Sequence, residues 1–72
     1  MLTNDIIRIL RAGASVHVDC KKHTASDLLM MANVAKVHKR RIFFENSEKL
    51  LVSDRLRIAL VGKDYVEFCD FV

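Results

Sequence analysis

Cysteine is scarce in this chain, and its two cysteines, Cys20 and Cys69, lie far apart in the sequence. Two thiols without close spacing form neither a disulfide framework nor a zinc knuckle. Free thiols are typical of a reducing compartment, so we expect a cytoplasmic protein. A Cys20–Cys69 disulfide in an exported protein is the alternative.

Long apolar runs are also missing. Charged residues interrupt every hydrophobic stretch before it reaches the roughly 20 residues that a membrane-spanning helix needs. Asp5 and Arg8 break the apolar pattern of residues 1–11, which lack the continuous apolar core of a secretory signal. We therefore expect no contact with a membrane and, again, a cytoplasmic location.

Sequence motifs for catalysis are absent as well. The chain has no glycine-rich phosphate loop, no pair of carboxylates at a defined spacing and no nucleophile beside an obvious base. We expect a protein that is not an enzyme and that carries no cofactor.

Apolar residues, by contrast, are plentiful: they make up 51% of the 72 residues, although tryptophan and proline are absent. A chain of this length forms one domain, whose single core barely offsets the conformational entropy of folding. The apolar content therefore indicates that a partner covers part of the surface. The net charge of +3 favours anionic partners without identifying one.

An internal repeat organises the chain. Three segments align without a gap, at residues 4–13, 26–35 and 53–62. A short β-branched or aromatic run follows each segment, at residues 15–19, 41–45 and 65–69. Such recurrence predicts stacked supersecondary units. We expect one domain, residues 1–72, with repeats at approximately 3–22, 24–50 and 51–72.

Each repeat offers a helix start at the same aligned position. The residues there are good N-caps, and an aspartate follows each of them: Asn4, Ser26 and Ser53. Thr24 and Asp27 could instead form a capping box, which would start the second helix two residues earlier. The last aligned position holds small residues, which suit close packing or, for glycine, a left-handed helix end: Gly13, Ala35 and Gly62. Residues 36–40 are expected to add a helical turn in the second repeat.

Three aligned columns of apolar residues predict the helix face that packs on a sheet. The columns are Ile7, Leu29 and Leu56; Ile9, Met31 and Ile58; and Leu10, Ala32 and Ala59. The runs that follow the helices alternate as half-buried strands do. Their helix-facing residues are predicted to be Val16, Val18, Ile42, Phe44, Val66 and Phe68.

Strands separated by helices pair in parallel through right-handed crossovers. The predicted fold class is therefore α/β, with three helix-strand repeats in the order α-β-α-β-α-β. We expect a short, solenoid-like stack with a three-stranded parallel sheet and all helices on one face. Parallel sheets are normally covered on both faces, and open edges invite further pairing, so we expect a homodimer or a protein partner.

The second repeat contains Ser26-Asp27-Leu28-Leu29, then alanine, a short basic insertion and an apolar strand that ends near Glu45 and Asn46. This pattern resembles that of small bacterial α/β proteins built from helix-strand repeats. The resemblance covers nearly the whole chain and implies the same stacked fold. The function of those proteins is unassigned, so no functional residue is carried over. Leucine-rich repeats also stack a strand and a helix per unit, but their asparagine ladder is missing here.

The open face of the predicted sheet carries the candidate interface residues. Aromatic side chains with a charged rim are typical of interface cores. The residues concerned are His17, Phe43, Tyr65 and Glu67. We expect a non-enzymatic protein-protein interaction module, self-associating through this open face or through an edge strand.

A basic cluster before the second strand favours an alternative function. Basic side chains beside aromatics bind phosphates and stacked bases, which would make this a small nucleic-acid-binding protein. The candidate contacts are Lys36, Lys39, Arg40 and Arg41, with His38 among them. Solvated charges at a helix end are the simpler interpretation of the cluster.

The ends of the predicted strands carry residue types that bind transition metals. Asp19, Glu45 and Cys69 would lie side by side, with His17 two positions before Asp19. They lack the local pair spacing that makes a metal motif specific. We therefore expect a polar sheet end and no metal site.

Overall fold

Helices and strands alternate along the chain, as the repeat predicts. The computed structural model describes residues 2–70. Its helices are α1 (Thr3–Ala12), α2 (Ala25–Val37) and α3 (Val52–Gly62). Its strands are β1 (Val16–Asp19), β2 (Ile42–Glu45) and β3 (Val66–Phe68). Among the described residues, none of the helices has the length and apolar character that crossing a bilayer requires.

The strands form one all-parallel sheet in the order β1-β2-β3. Val16 lies beside Ile42, and Ile42 lies beside Val66, so equivalent repeat positions are in register. Each crossover contains one helix, which confirms the predicted α/β stack.

The hydrophobic core lies between the sheet and the helices. Phe44 and Ile42 on β2 are fully buried, as are Leu28 and Met31 on α2. The predicted helix-facing side of the strands is confirmed, because Val18 is also buried and the remaining predicted strand residues pack against this core: Val16, Val66 and Phe68.

Each helix begins before its predicted N-cap. The N-cap positions are Leu2, Thr24 and Leu51, so Asn4, Ser26 and Ser53 lie inside the first turn. The N-cap prediction was therefore wrong in all three repeats, although the offset is the same each time. At α1 the Leu2 carbonyl accepts the N–H groups of Asp5 and Ile6, and at α3 the Leu51 carbonyl accepts those of Asp54 and Arg55, so backbone bonds hold the extra residues.

The alternative start of α2 is confirmed. The Thr24 hydroxyl accepts a hydrogen bond from the Asp27 N–H at 3.2 Å. This bond satisfies one of the amide groups that a helix start leaves without a partner.

The helix ends follow the prediction only in part. Gly13 has a φ of 106° and forms the left-handed end of α1. Gly62 has a φ of −85°, and the positive φ falls on Lys63 instead, so a left-handed cap at Gly62 was a wrong prediction. The helix α2 continues past Ala35 only to Val37 rather than through residue 40.

Gly62 is needed for close packing. A Cβ atom at this position would lie 2.0 Å from Cγ2 of Val66 and 3.3 Å from Cβ of Ala32. The absence of a side chain therefore lets α3 approach β3 and α2.

The columns predicted to face the sheet do not behave alike in the three helices. Ile7 and Leu10 of α1 are buried, whereas the aligned Leu56 and Ala59 of α3 are exposed. The prediction that Leu56 and Ala59 lie against the sheet was wrong. The reason is that their two columns face the next α-helix of the stack, and no further α-helix follows α3 within residues 2–70.

We predict that Gly62→Ala lowers the free energy of unfolding by about 1–3 kcal/mol, because the added methyl group clashes with Val66. In a Val66→Ala background the same change should cost much less, since the clashing Cγ2 atom is gone. Urea denaturation of the four proteins measures both effects. An equal cost in both backgrounds would show that the contact with Val66 is not the cause.

Candidate interaction surface

The outer side of α3 exposes large apolar residues. Val52 is 64% exposed, Leu56 60% and Leu60 74%, and Leu51 just before the helix is 69% exposed. Within α3, all of which is described, only Ile58 and Gly62 are buried. A helix on the surface of a protein normally turns such residues inward, and contiguous exposed apolar faces are typical of interaction surfaces.

A groove lies between this helix and the last strand. It encloses about 330 Å³ and is lined by Val52, Arg55, Leu56, Ala59 and Phe68. Phe68 also contacts Phe44 of the core, with ring centroids 5.9 Å apart. The groove therefore borders the hydrophobic core. We call Val52, Leu56, Ala59 and Leu60 the α3 face.

The repeat explains why the α3 face is apolar. Thr3, at the start of α1, donates a hydrogen bond to Asp27 of α2 at 3.2 Å, so this side of α1 faces α2. In α2 the aligned residue Ala25, together with Leu29, lines a cavity shared with α3. Val52 and Leu56 occupy the same two positions in α3. They therefore occupy the positions at which α2 faces α3.

An open strand edge lies beside the α3 face. Within the described residues β3 pairs only with β2, and β1 pairs only with β2. An unpaired edge offers backbone N–H and C=O groups to a further strand. At the end of the stack formed by α3 and β3, apolar side chains and backbone hydrogen-bonding groups are available together.

On the other face of the sheet, the structure brings most of the predicted interface residues together. His17, Phe43 and Glu67 lie in one row across the three strands. The rings of His17 and Phe43 stack with centroids 4.6 Å apart, and Glu67 pairs with Arg41 at 3.6 Å. Tyr65 precedes β3 in a short 3₁₀ turn and is half-buried. The charged and aromatic groups of this face are thus already engaged with one another.

His17, Glu45 and Cys69 form a cluster at the carboxyl end of this sheet face. One potential ligand atom from each lies within 4.8 Å of the others, and Nδ1 of His17 is 3.0 Å from Oε2 of Glu45. Asp19 does not take part, because its carboxylate accepts hydrogen bonds from the Asn46 amide and the Lys21 N–H. The grouping of Glu45 with Cys69 was predicted, and Asp19 lies beside Glu45 in the sheet register as predicted, but its carboxylate is not part of the cluster.

The chemistry of the cluster is that of a protonated thiol beside carboxylates. Desolvation, and then the charges of Glu67 and Glu45, raise the pKa of the Cys69 thiol. Burial raises the pKa of the other thiol, Cys20, to about 12. Both cysteines are free, and a thiol that keeps its proton is a poor nucleophile. A metal would have to displace that proton and the hydrogen bond between His17 and Glu45.

The predicted basic cluster is spread over a helix end and a loop. Arg40 donates from Nη1 to the Gly13 carbonyl at 2.7 Å, and Arg41 pairs with Glu67. Lys36 lies in the last turn of α2, and Lys39 has a left-handed φ of 56°. Two of the four cationic groups therefore already bind groups of the chain itself.

One polar contact at the same carboxyl end of the sheet was not predicted from the sequence. The buried Ser47 hydroxyl donates to Oδ1 of Asp70 at 2.5 Å, and the Glu48 N–H donates to Oδ2 at 2.9 Å. These bonds tie the segment after β3 to the loop after β2. They lower the pKa of Asp70 well below its usual range. Serine and aspartate in loops are too common for the sequence to signal such a pair.

Comparison of the chain with protein-family models, with curated proteins and with solved structures gives no match.

We predict that Asp70→Asn reduces the pH dependence of stability. A lowered pKa means that the native state binds fewer protons than the unfolded state, so stability is present above about pH 4 and is lost as the pH falls. Urea midpoints at pH 3 and pH 7 should therefore differ less in the variant than in the natural chain. Asp64→Asn, at an exposed aspartate, is the matched control. An unchanged difference for Asp70→Asn would contradict the role of this carboxylate.

Proposed function

We propose that this chain is a non-enzymatic protein-protein interaction module that associates through the end of its stack formed by the α3 face and the edge of β3. The observation that carries the proposal is the exposure of Val52, Leu56 and Leu60 on one side of α3. A cytoplasmic location, which two free thiols favour, is part of the same proposal.

The energetics of the α3 face are adequate for association. Full burial of a leucine or valine side chain contributes about 1.5–3 kcal/mol. Association costs roughly 4–15 kcal/mol of free energy in lost translational and rotational freedom, and the burial of three such residues offsets the lower values of this range. A strand added to β3 would contribute backbone hydrogen bonds and set the register of the complex.

The open sheet face is the second candidate surface for the same function. Its residues His17, Phe43, Tyr65 and Glu67 have the composition of an interface, but Phe43 is already stacked on His17. A partner docking there would also desolvate the ion pair between Arg41 and Glu67, which costs free energy unless it is replaced. The four residues of the α3 face are apolar and carry no such cost; the charged residue that lines the adjoining groove is Arg55.

We predict that Leu56→Asp lowers the oligomeric mass of the chain in solution, because a carboxylate would be buried in the contact. Light scattering after size exclusion at several concentrations measures the mass, and circular dichroism checks that helix content is retained. Met30→Asp is the matched control, since Met30 is 50% exposed on a different helix. Phe43→Asp should leave the association intact. The opposite result, dissociation by Phe43→Asp but not by Leu56→Asp, would assign the contact to the open sheet face.

Nucleic-acid binding through Lys36, Lys39, Arg40 and Arg41 is a second candidate function. Its support is that Lys36 and Lys39 are exposed at the end of α2, close in sequence to the half-buried Phe43. Such binding would weaken as salt rises, because each phosphate contact releases counterions.

A salt-dependent mobility-shift assay tests this alternative with Lys36→Glu and Lys39→Glu together. These changes preserve the contacts of Arg40 and Arg41 within the chain, so the fold should be retained. If the cluster binds nucleic acid, the natural chain retards an oligonucleotide at low salt and the double variant does not. The control carries the same charge reversal at Lys21 and Lys22. Equal retardation by both variants, or none by the natural chain, would reject the alternative.

A further inference from the structure

The first helix exposes the residues with which α3 packs on α2. Asp5, Arg8, Ile9 and Ala12 line an open cavity of about 410 Å³ on the outer side of α1. In the alignment of the repeats, Asp5, Arg8 and Ile9 correspond to Asp54, Arg57 and Ile58 of α3. The residue types are identical at all three positions.

In α3 these three residues face the preceding helix. Asp54, Arg57 and Ile58 line the cavity of about 160 Å³ between α2 and α3, opposite Ala25, Ser26 and Leu29 of α2. Ile58 is 1% exposed, whereas the aligned Ile9 is only half-buried because no helix precedes α1 in residues 2–70. The outer side of α1 therefore has the side chains of a docking face and lacks the helix on which to dock.

The α3 face supplies such a helix. The contact between α2 and α3 places Asp, Arg and Ile of one helix against Ala25 and Leu29 of the other. Val52 and Leu56 are the aligned residues of α3, and both are exposed and apolar. The two ends of one molecule thus carry the two halves of an interface that the molecule already contains between α2 and α3.

We propose that the partner is a second copy of this chain, bound head to tail, with α1 of one molecule packed on the α3 face of the next and β1 beside β3. This inference rests on the proposed function, because it uses the same surface. It adds the identity of the partner and the element of the partner that makes the contact.

The strand edges agree with this arrangement. Val16 of β1 and Val66 of β3 are both partners of Ile42, so a parallel β3-β1 pair in the same register would place His17 of one copy beside Glu67 of the other. A histidine beside a carboxylate is already present between β1 and β2, where His17 and Glu45 are 3.0 Å apart. A side-chain hydrogen bond of this kind across adjacent strands favours pairing.

The geometry of the contact has a consequence for assembly. A head-to-tail interface uses two different surfaces, so each added copy leaves one of each surface free. The natural chain should therefore grow beyond a dimer as concentration rises, until a ring closes. A symmetric contact between two α3 faces would stop at two copies.

The test uses two variants, each blocked at one end. Leu56→Asp blocks the α3 face and leaves α1 intact, whereas Ile9→Asp blocks the outer side of α1 and leaves the α3 face intact. Each variant alone should be a monomer by light scattering after size exclusion. An equimolar mixture should form a complex of twice the monomer mass that does not grow further. Ala12→Arg, at an exposed position, replaces Ile9→Asp should that variant fail to fold.

Other outcomes overturn the proposal. Dimers of Ile9→Asp or Ala12→Arg alone would show a symmetric contact between α3 faces. If the natural chain associates and Leu56→Asp prevents it, but the mixture forms no complex, the head-to-tail arrangement is wrong and the interaction surface stands. A natural chain that is monomeric at every concentration would reject a second copy as the partner, leaving a foreign partner for the α3 face. Association that Leu56→Asp does not weaken would reject the α3 face itself.

Discussion

The structure depends on one constraint: a helix-strand unit of this chain buries all of its apolar surface only when it has a neighbouring unit on each side. The middle unit has a neighbour on both sides, and it contributes most of the fully buried side chains, including Leu28, Met31 and Phe44. The end units each have one neighbour. In the first unit Ile9 is only half-buried, and in the last Val52 and Leu56 are exposed, although the repeat places all three at contact positions.

Because of this constraint, we propose an interaction surface at the ends of the stack rather than on the open sheet face. On the open face His17 stacks on Phe43, and Arg41 forms an ion pair with Glu67. These contacts are typical of a solvated surface. The four side chains of the α3 face are apolar, so burying them against another helix is more favourable than exposing them to water.

Beyond the hydrophobic core, hydrogen bonds stabilise the carboxyl ends of the strands. Asp19 is held by Asn46 and by the Lys21 N–H, and Asp70 is held by Ser47 and by the Glu48 N–H. Each carboxylate joins its own strand end to the loop that follows β2. These hydrogen bonds stabilise the carboxyl end of the sheet, where the cluster of His17, Glu45 and Cys69 also lies.

The sequence by itself determined the number and order of the helices and strands, the parallel sheet and the strand face that meets the helices, because these follow from periodicity and from the length of the crossovers. It also placed His17, Phe43 and Glu67 on one face, since alternation along a strand is a local property. Only the tertiary structure decided that Leu56 and Ala59 are exposed, that Gly62 is required for a close contact with Val66, and that Ser47 binds Asp70. Whether a repeat position is buried depends on the presence of a neighbouring unit: Leu29 in the middle unit is half-buried, whereas the aligned Leu56 in the last unit is exposed.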